Sequence, residues 1–210
     1  MTQAKKCLVY LYTSRNQGIL YGHKVHGIIG HNIIYGYADA DYATCTDSRK
    51  SNTGWIYLYN GGAISWRSCQ QSVTALSTSE AEYMAISDAA KEARSLIKLN
   101  ASLDLMNSNN IKIYEDNRGA LKWTSTQSEP SRTKHIDVHF HHIKDMVKIG
   151  RITVVPVVTE LQLADAFTKA LPRDRHEFLR EKYHTKNATM YESLNEISWE
   201  LLQIRTCGFV

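Results

Sequence analysis

Apolar runs in the first half of the chain predict three β-strands. The runs cover residues 31–38, 53–59 and 62–67, and they are rich in β-branched and aromatic side chains. Asn60 and Gly61 separate the second run from the third. Because an Asn-Gly pair between two such runs is typical of a tight hairpin, the pattern predicts a three-stranded antiparallel meander.

The period of the apolar positions changes to that of helices after the third strand. Ser77 and Glu80 form a Ser-x-x-Glu capping box, which predicts a helix from there to about Leu99. The elements predicted beyond this helix are a strand at 111–115, a short helix at 117–123, a helix at 131–149 that stops at Gly150, a strand at 151–158, and a last helix capped by Thr159-x-x-Gln162. This order predicts an α/β fold with a five-stranded mixed sheet, three strands antiparallel and the later ones parallel, and helices on both faces.

The end of the chain carries a separate pattern. Leu194, Ile197, Leu201 and Ile204 follow helical spacing. They predict one amphipathic helix, whose polar face is mixed rather than basic. We therefore expect this helix to pack against the domain and not to bind a membrane.

Four acidic residues stand where predicted strands end or predicted helices begin. Asp39 and Asp116 follow β-prone runs, whereas Glu82 and Asp165 lie in the first turns of predicted helices. Carboxylates from strand ends and from covering helices can converge on one pocket, where four of them would repel one another unless cations were bound. Oxygen ligands without nearby Cys or His suit Mg²⁺ or Mn²⁺. The pattern predicts a two-metal site that cleaves phosphodiesters.

Composition narrows the class of protein. With 210 residues, 43% of them hydrophobic, the chain is long enough for one domain with an appendage, and its net charge of +4 permits a nucleic-acid partner. Its four cysteines show no paired CxxC spacing, so a zinc knuckle and a disulfide framework are not indicated. Reduced thiols predict an intracellular protein, cytoplasmic or nuclear. No apolar run approaches ~18 residues, so a transmembrane helix is not expected.

Seven motifs follow one another through the chain: 37–43 (YADADYA), 49–54 (RKSNTG), 64–68 (ISWRS), 75–85 (ALSTSEAEYMA), 115–117 (EDN), 132–137 (RTKHID) and 162–169 (QLADAFTK). Together and in this order they resemble the ribonuclease H domain of copia-type (Ty1/copia) retrotransposon Pol polyproteins. The resemblance extends over roughly residues 1–183. It implies three segments: 1–30 as the remnant of a reverse transcriptase connection, 31–170 as a ribonuclease H-like domain, and 171–210 as a C-terminal helical extension.

The resemblance also implies a function. It is the endonucleolytic hydrolysis of RNA in RNA/DNA hybrids by two Mg²⁺ ions, with Mn²⁺ as a substitute, beside a reverse transcriptase partner. Asp39, Glu82, Asp116 and Asp165 become the catalytic residues and the metal ligands. Of the neighbouring acids, Glu80 is expected to cap its helix, and Glu115 is expected to point to the strand face opposite Asp116.

Contacts to the hybrid are expected from polar and aromatic residues around the acids. These substrate-binding candidates are Arg49, Ser51, Thr53, Trp66, Arg67, Asn117, Arg118 and His135. His135, His139 and His142 have a spacing that could also hold a transition metal, although a polar helix face is the better interpretation. No histidine stands in residues 156–162, so the histidine that some ribonucleases H carry before the last acid is absent.

Two other functions remain open at this point. The fold and its hybrid groove could persist as a nucleic-acid-binding relic, catalytically weak or inactive, in a truncated element copy or a host gene. Alternatively, the same fold could support a broader metal-dependent nuclease or a strand-transfer enzyme. The helix that carries Glu82 after the hairpin favours the ribonuclease H branch.

Overall fold

A computed structural model describes residues 2–21, 32–103, 109–126, 137–183 and 185–187. Its elements are α1 (Gln3–Ser14), β1 (Gln17–Ile19), β2 (Ile34–Asp41), β3 (Asn52–Tyr59), β4 (Gly62–Gln70), α2 (Thr78–Leu103), β5 (Ile111–Glu115), α3 (Arg118–Ser125), α4 (Asp137–Lys148), β6 (Ile152–Pro156), α5 (Arg173–Lys182) and β7 (Thr185–Asn187). Two short 3₁₀ turns, Thr159–Leu161 and Leu163–Phe167, lie between β6 and α5.

Five strands form one mixed sheet in the order β4-β3-β2-β5-β6. Strands β2, β3 and β4 pair antiparallel, whereas β5 is parallel to both β2 and β6. The predicted fold class is therefore confirmed. Strands β1 and β7 form a separate two-stranded sheet. Residues 19–185 make one compact unit, and α1 belongs to a second unit.

The predicted hairpin is confirmed, and its turn shows why this dipeptide is needed. Asn60 and Gly61 both have positive φ, at 47° and 86°. A two-residue turn of this type requires left-handed backbone at both positions, which Asn and Gly adopt at little cost. The strand that follows is longer than predicted, because β4 continues to Gln70.

The capping box at the start of α2 forms, and the Glu80 carboxylate bonds to the backbone of Leu76, the residue before Ser77. Ser77 Oγ accepts a hydrogen bond from the Glu80 backbone N–H at 3.2 Å, and Glu80 Oε2 accepts one from the Leu76 N–H at 2.6 Å. Glu80 is thus a cap, as expected. The helix extends past Leu99 to Leu103, and Glu82 is its fifth residue, just beyond the first turn.

Two further helix boundaries differ from the prediction. Asn117 is not the first residue of a helix but the N-cap of α3, where its Oδ1 accepts a hydrogen bond from the Ala120 N–H. The helix predicted at 131–149 is described from Asp137 to Lys148, where Gly150, at φ 69°, follows it. Residues 131–136 and the predicted C-terminal amphipathic helix lie outside the described residues.

The helix predicted to begin at Thr159 is wrong. The chain forms the two 3₁₀ turns instead, and Asp165 lies in the second one. Gln162, not Thr159, supplies the cap, because its side chain accepts a hydrogen bond from the Ala164 N–H. The same amide donates to the Ala38 carbonyl oxygen at 2.8 Å. Gln162 is fully buried, so it fixes the turn directly against β2 beside Asp39.

The sheet has an apolar cluster on each face. Alternating residues of β3 divide between them, since Trp55 and Tyr57 belong to one cluster and Ile56 and Leu58 to the other. Helices α2 and α4 contribute to the first cluster. Leu179 of α5 is fully buried in the second, so α5 packs on the face that also receives the Asp165 turn.

Candidate active site

Three of the four predicted acids lie together. Oxygen atoms of Asp39, Glu82 and Asp116 all lie within 4.8 Å of one another. The parallel pairing of β2 with β5 explains two of them, because Tyr37 lies opposite Tyr114 and each acid follows two residues later. Glu82 comes from α2, which packs across these strands. We refer to these three carboxylates as the acid triad.

The acid triad is electrostatically strained. Burial raises the pKa of Asp39 to about 6, although the Thr168 hydrogen bond and the Lys169 charge oppose this rise. Burial also raises the pKa of Glu82 well above its ordinary value, and repulsion from Glu115 and Asp39 adds to the effect. Glu82 Oε2 is buried and has no hydrogen-bond partner. Buried carboxylates that repel one another and lack a hydrogen-bond partner are stabilised by protonation or by a bound cation.

Glu115 lies close to Glu82 of the acid triad, and its expected orientation toward the strand face opposite Asp116 stays a prediction. Its side chain is fully buried, and its charge contributes to the raised pKa of Glu82. Its Oε1 accepts a hydrogen bond from the Asn117 N–H at 2.9 Å. Burial raises the pKa of Glu115 itself well above the ordinary value. Glu115 alternates in β5 with the buried residues Ile111 and Ile113, which pack in the cluster to which α2 contributes, and Glu82 belongs to α2.

Asp165 lies near Asp39 but outside the acid triad. Its carboxylate forms ion pairs with Lys169 Nζ at 2.6 Å and with an Arg175 guanidinium nitrogen at 2.9 Å. Although burial lowers the pKa of Lys169, the Asp165, Asp39 and Asp41 carboxylates raise it above its ordinary value. Two protein cations therefore balance the fourth acid.

Arg175 was not singled out from the sequence, yet it connects two of the predicted acids. It donates hydrogen bonds to the backbone carbonyls of Thr159, at 3.0 Å, and of Glu160. Thr159 Oγ1 in turn donates to Asp116 Oδ2 at 2.8 Å. One guanidinium thus holds both Asp165 and the turn whose hydroxyl orients Asp116. An arginine six residues after the end of a motif gives no sequence signal of this role.

Close packing at Gly54 allows the Asp165 turn to reach Asp39. Gly54 lies opposite Asp39 in the β2–β3 register. A Cβ atom at this position would meet Phe167 Cβ and Thr168 Cγ2, both at 2.7 Å. Only glycine therefore fits beneath the turn without displacing it.

The substrate-binding candidates divide into exposed and buried residues. Arg49, Trp66, Arg67 and Arg118 are exposed. Arg67 forms an ion pair with Asp88, with Nη1 at 3.4 Å from Oδ2. Ser51 and Thr53 are buried, and their hydroxyl oxygens accept hydrogen bonds from the Ala43 N–H and from Gln71 Nε2.

Asn117 and His135 are the two substrate-binding candidates that remain. Asn117 is half-buried, and its Oδ1 accepts a hydrogen bond from Ser79 Oγ. His135 lies outside the described residues. In α4, His139 Nδ1 lies 2.9 Å from Ser87 Oγ. Substrate contact by the eight candidate residues stays a prediction.

Comparison with known proteins shows the family of this chain. The Retrovirus-related Pol polyprotein from transposon TNT 1-94 of Nicotiana tabacum is 40% identical over 149 residues, which are 71% of this chain and 11% of the polyprotein. The one from transposon RE1 of Arabidopsis thaliana is 34% identical over 169 residues, 80% of this chain and 11% of the polyprotein. The chain is related to the Pol polyproteins of copia-type retrotransposons. It spans about a tenth of the length of these relatives. No family model matches the chain.

The copia-type chain also resembles a solved ribonuclease H in its fold. LC11-RNase H1, isolated from compost, superposes with a TM-score of 0.50 at 18% identity, and the match covers 65% of this chain and 93% of that one. This likeness shows the ribonuclease H fold. Among the described residues, no helix combines the length and the apolar character needed to cross a membrane.

Proposed function

We propose that this chain hydrolyses the RNA strand of RNA/DNA hybrids by two-metal catalysis, as part of a retrotransposon polyprotein or as a derivative of one. The observation that carries the proposal is the acid triad, three carboxylates within 4.8 Å on a ribonuclease H fold. The relationship to Pol polyproteins supports a reverse transcriptase as partner. The free thiols of Cys7, Cys45 and Cys69 are in keeping with action inside the cell.

The donor atoms of the acid triad fit a divalent metal ion. All three ligands are carboxylate oxygens, which Mg²⁺ prefers, and Glu82 Oε2 is buried without a partner. Asp39, Glu82 and Asp116 would hold one ion, and Asp39 with Asp165 a second. When bound, Mg²⁺ or Mn²⁺ supplies stabilisation of charge on a phosphodiester and activation of a water molecule.

The protein's own residues orient the acids and the substrate in this proposal. Thr159 holds Asp116, Thr168 holds Asp39, and Arg175 holds Asp165. Exposed Arg49 and Arg118 would contact phosphates of the hybrid. Contacts to 2′-hydroxyls along one strand would select RNA. The expected products carry a 5′-phosphate and a 3′-hydroxyl.

Cleavage of an end-labelled RNA/DNA hybrid by the purified chain in Mg²⁺ tests the proposal. A DNA duplex and the Asp116→Asn variant are run beside it. Loss of the hybrid's RNA alone, abolished in Asp116→Asn, is the expected result. Cleavage of the DNA duplex would instead favour a broader nuclease. A folded protein that cleaves nothing in Mg²⁺ or Mn²⁺ would refute autonomous catalysis.

A further inference from the structure

The negative charges of the four predicted acids are compensated to different degrees by the protein. Asp165 forms ion pairs with two protein cations, Lys169 and Arg175. The acid triad instead contains Asp39 and Glu82, whose raised pKa values reflect burial. Glu82 Oε2 and Asp165 Oδ1 are both buried without a hydrogen bond, but Asp165 Oδ1 is ion-paired with Lys169 Nζ at 2.6 Å.

The two cations that bind Asp165 differ in how firmly they are held. Arg175 also donates to the backbone carbonyls of Thr159 and Glu160, and its side chain is 23% exposed. Lys169 is 40% exposed and meets Asp165 through an ammonium at the end of a flexible four-carbon stem. Moving Arg175 would break the hydrogen bonds that fix the Thr159–Leu161 turn. Lys169 can swing toward solvent without disturbing the backbone.

The Lys169 ammonium also acts on a second acid of the site, Asp39. Thr168, its neighbour, donates a hydrogen bond to Asp39 and also contacts the Asp165 carbonyl oxygen at 3.2 Å. The Lys169 charge acts on Asp39 as well as on Asp165. A cation shared by these two carboxylates would occupy the same region as this ammonium.

We propose that Lys169 is an exchangeable occupant of the cation position beside Asp39 and Asp165. This inference rests on the proposed function. The first divalent ion binds the acid triad without displacing a protein cation, and the second binds only after the ammonium has left. Lys169 is therefore a positioning residue that sets the affinity for the second ion, while Arg175 remains in place.

Mn²⁺ binding to the full chain, without substrate, tests the proposal. Free Mn²⁺ is counted by its paramagnetic resonance signal during titration, and a calorimetric titration is run in parallel. The variants are Lys169→Met, Lys169→Arg and Asp165→Asn. Lys98→Met, on the exposed surface of α2, is the control for the loss of one positive charge. Thermal melting confirms that each variant folds.

We expect one tight site and one weaker site in the unsubstituted chain. Lys169→Met tightens the second site about tenfold, because a displaced cation no longer competes. Lys169→Arg and Lys98→Met leave it weak, and Asp165→Asn removes it while the first site stays.

Two other results would contradict these expectations, and they are distinguishable. A second site equally weak in folded Lys169→Met and in Lys98→Met would overturn the inference alone. No Mn²⁺ binding by the folded, unsubstituted chain would overturn the proposed function together with it.

Discussion

The hydroxyl of Thr168 donates a hydrogen bond to the carboxylate of Asp39, 129 positions earlier in the chain. Thr168 follows the second 3₁₀ turn, and Asp39 lies within β2. Both side chains are buried, at 4% and 3% exposure. The contact fixes the element that carries Asp165 to the strand that carries the first acid. Four predictions depend on this network around the acids.

Replacement of Thr168 by valine should weaken both stability and activity. Valine keeps the shape but leaves a buried carboxylate oxygen without its donor, which costs about 1–3 kcal/mol of unfolding free energy. The pKa of Asp39 should also rise, because the Thr168 hydrogen bond lowers it. We therefore expect the acidic limb of the pH–rate profile to move to higher pH. Thr168→Ser retains the hydroxyl and should restore the profile; an unshifted profile in Thr168→Val would contradict the role of this contact.

Replacement of Gly54 by alanine should displace the turn that carries Asp165. The added Cβ would lie 2.7 Å from Phe167 Cβ, and overpacking of this kind costs about 1–3 kcal/mol. The rate of hybrid cleavage should fall strongly, whereas the melting temperature should fall only moderately, because the acids separate while the sheet persists. Gly18→Ala, where a Cβ meets nothing within 4 Å, is the matched control. Equal activity in the two variants would show that the close approach is unnecessary.

Replacement of Arg175 by glutamine should lower stability and hybrid cleavage, whereas the same change at Arg173 should not. Arg175 connects Asp165 with the turn that orients Asp116, and loss of its charged hydrogen bonds costs about 1–3 kcal/mol. Arg173, in the same helix, is exposed and pairs with Glu177. We expect lower thermal stability and slower hybrid cleavage for Arg175→Gln only. Indistinguishable melting curves for the two variants would contradict this assignment.

The metal-free chain should lose stability as the pH rises. The pKa of Asp39 is about 6 in the folded chain against an ordinary value of 3.8, so between these values the folded state binds more protons than the unfolded state. The free energy of unfolding therefore falls from about pH 4 to beyond pH 6, by roughly 2 kcal/mol from this group. Melting in a chelator at pH 5 and pH 8 measures the change.

Two additions identify the origin of that pH dependence. Asp39→Asn should reduce it, because an amide does not ionise. Mg²⁺ should restore stability at pH 8 more than at pH 5, since metal competes with protons for the same oxygens. A pH dependence that is the same in Asp39→Asn would assign the effect to other groups.

Local signals in the sequence determined the elements and the chemistry of three acids. Asn60-Gly61 specified the hairpin because its turn needs positive φ at both positions, and Ser77 with Glu80 specified the start of α2 because a capping box is a contact between near neighbours. Asp39 and Asp116 were predictable as a pair because parallel strands bring equivalent positions to the same sheet edge.

The way in which the charges of the acids are compensated depends on packing between distant segments of the chain. Lys169 and Arg175 neutralise Asp165, Glu115 approaches Glu82, and Gly54 admits the turn that replaces the predicted helix at Thr159. The amide of Gln162 holds that turn to Ala38, 124 positions away. Contacts of this kind depend on packing between distant segments, and neither the spacing of apolar residues nor a short motif records which distant side chain will meet which.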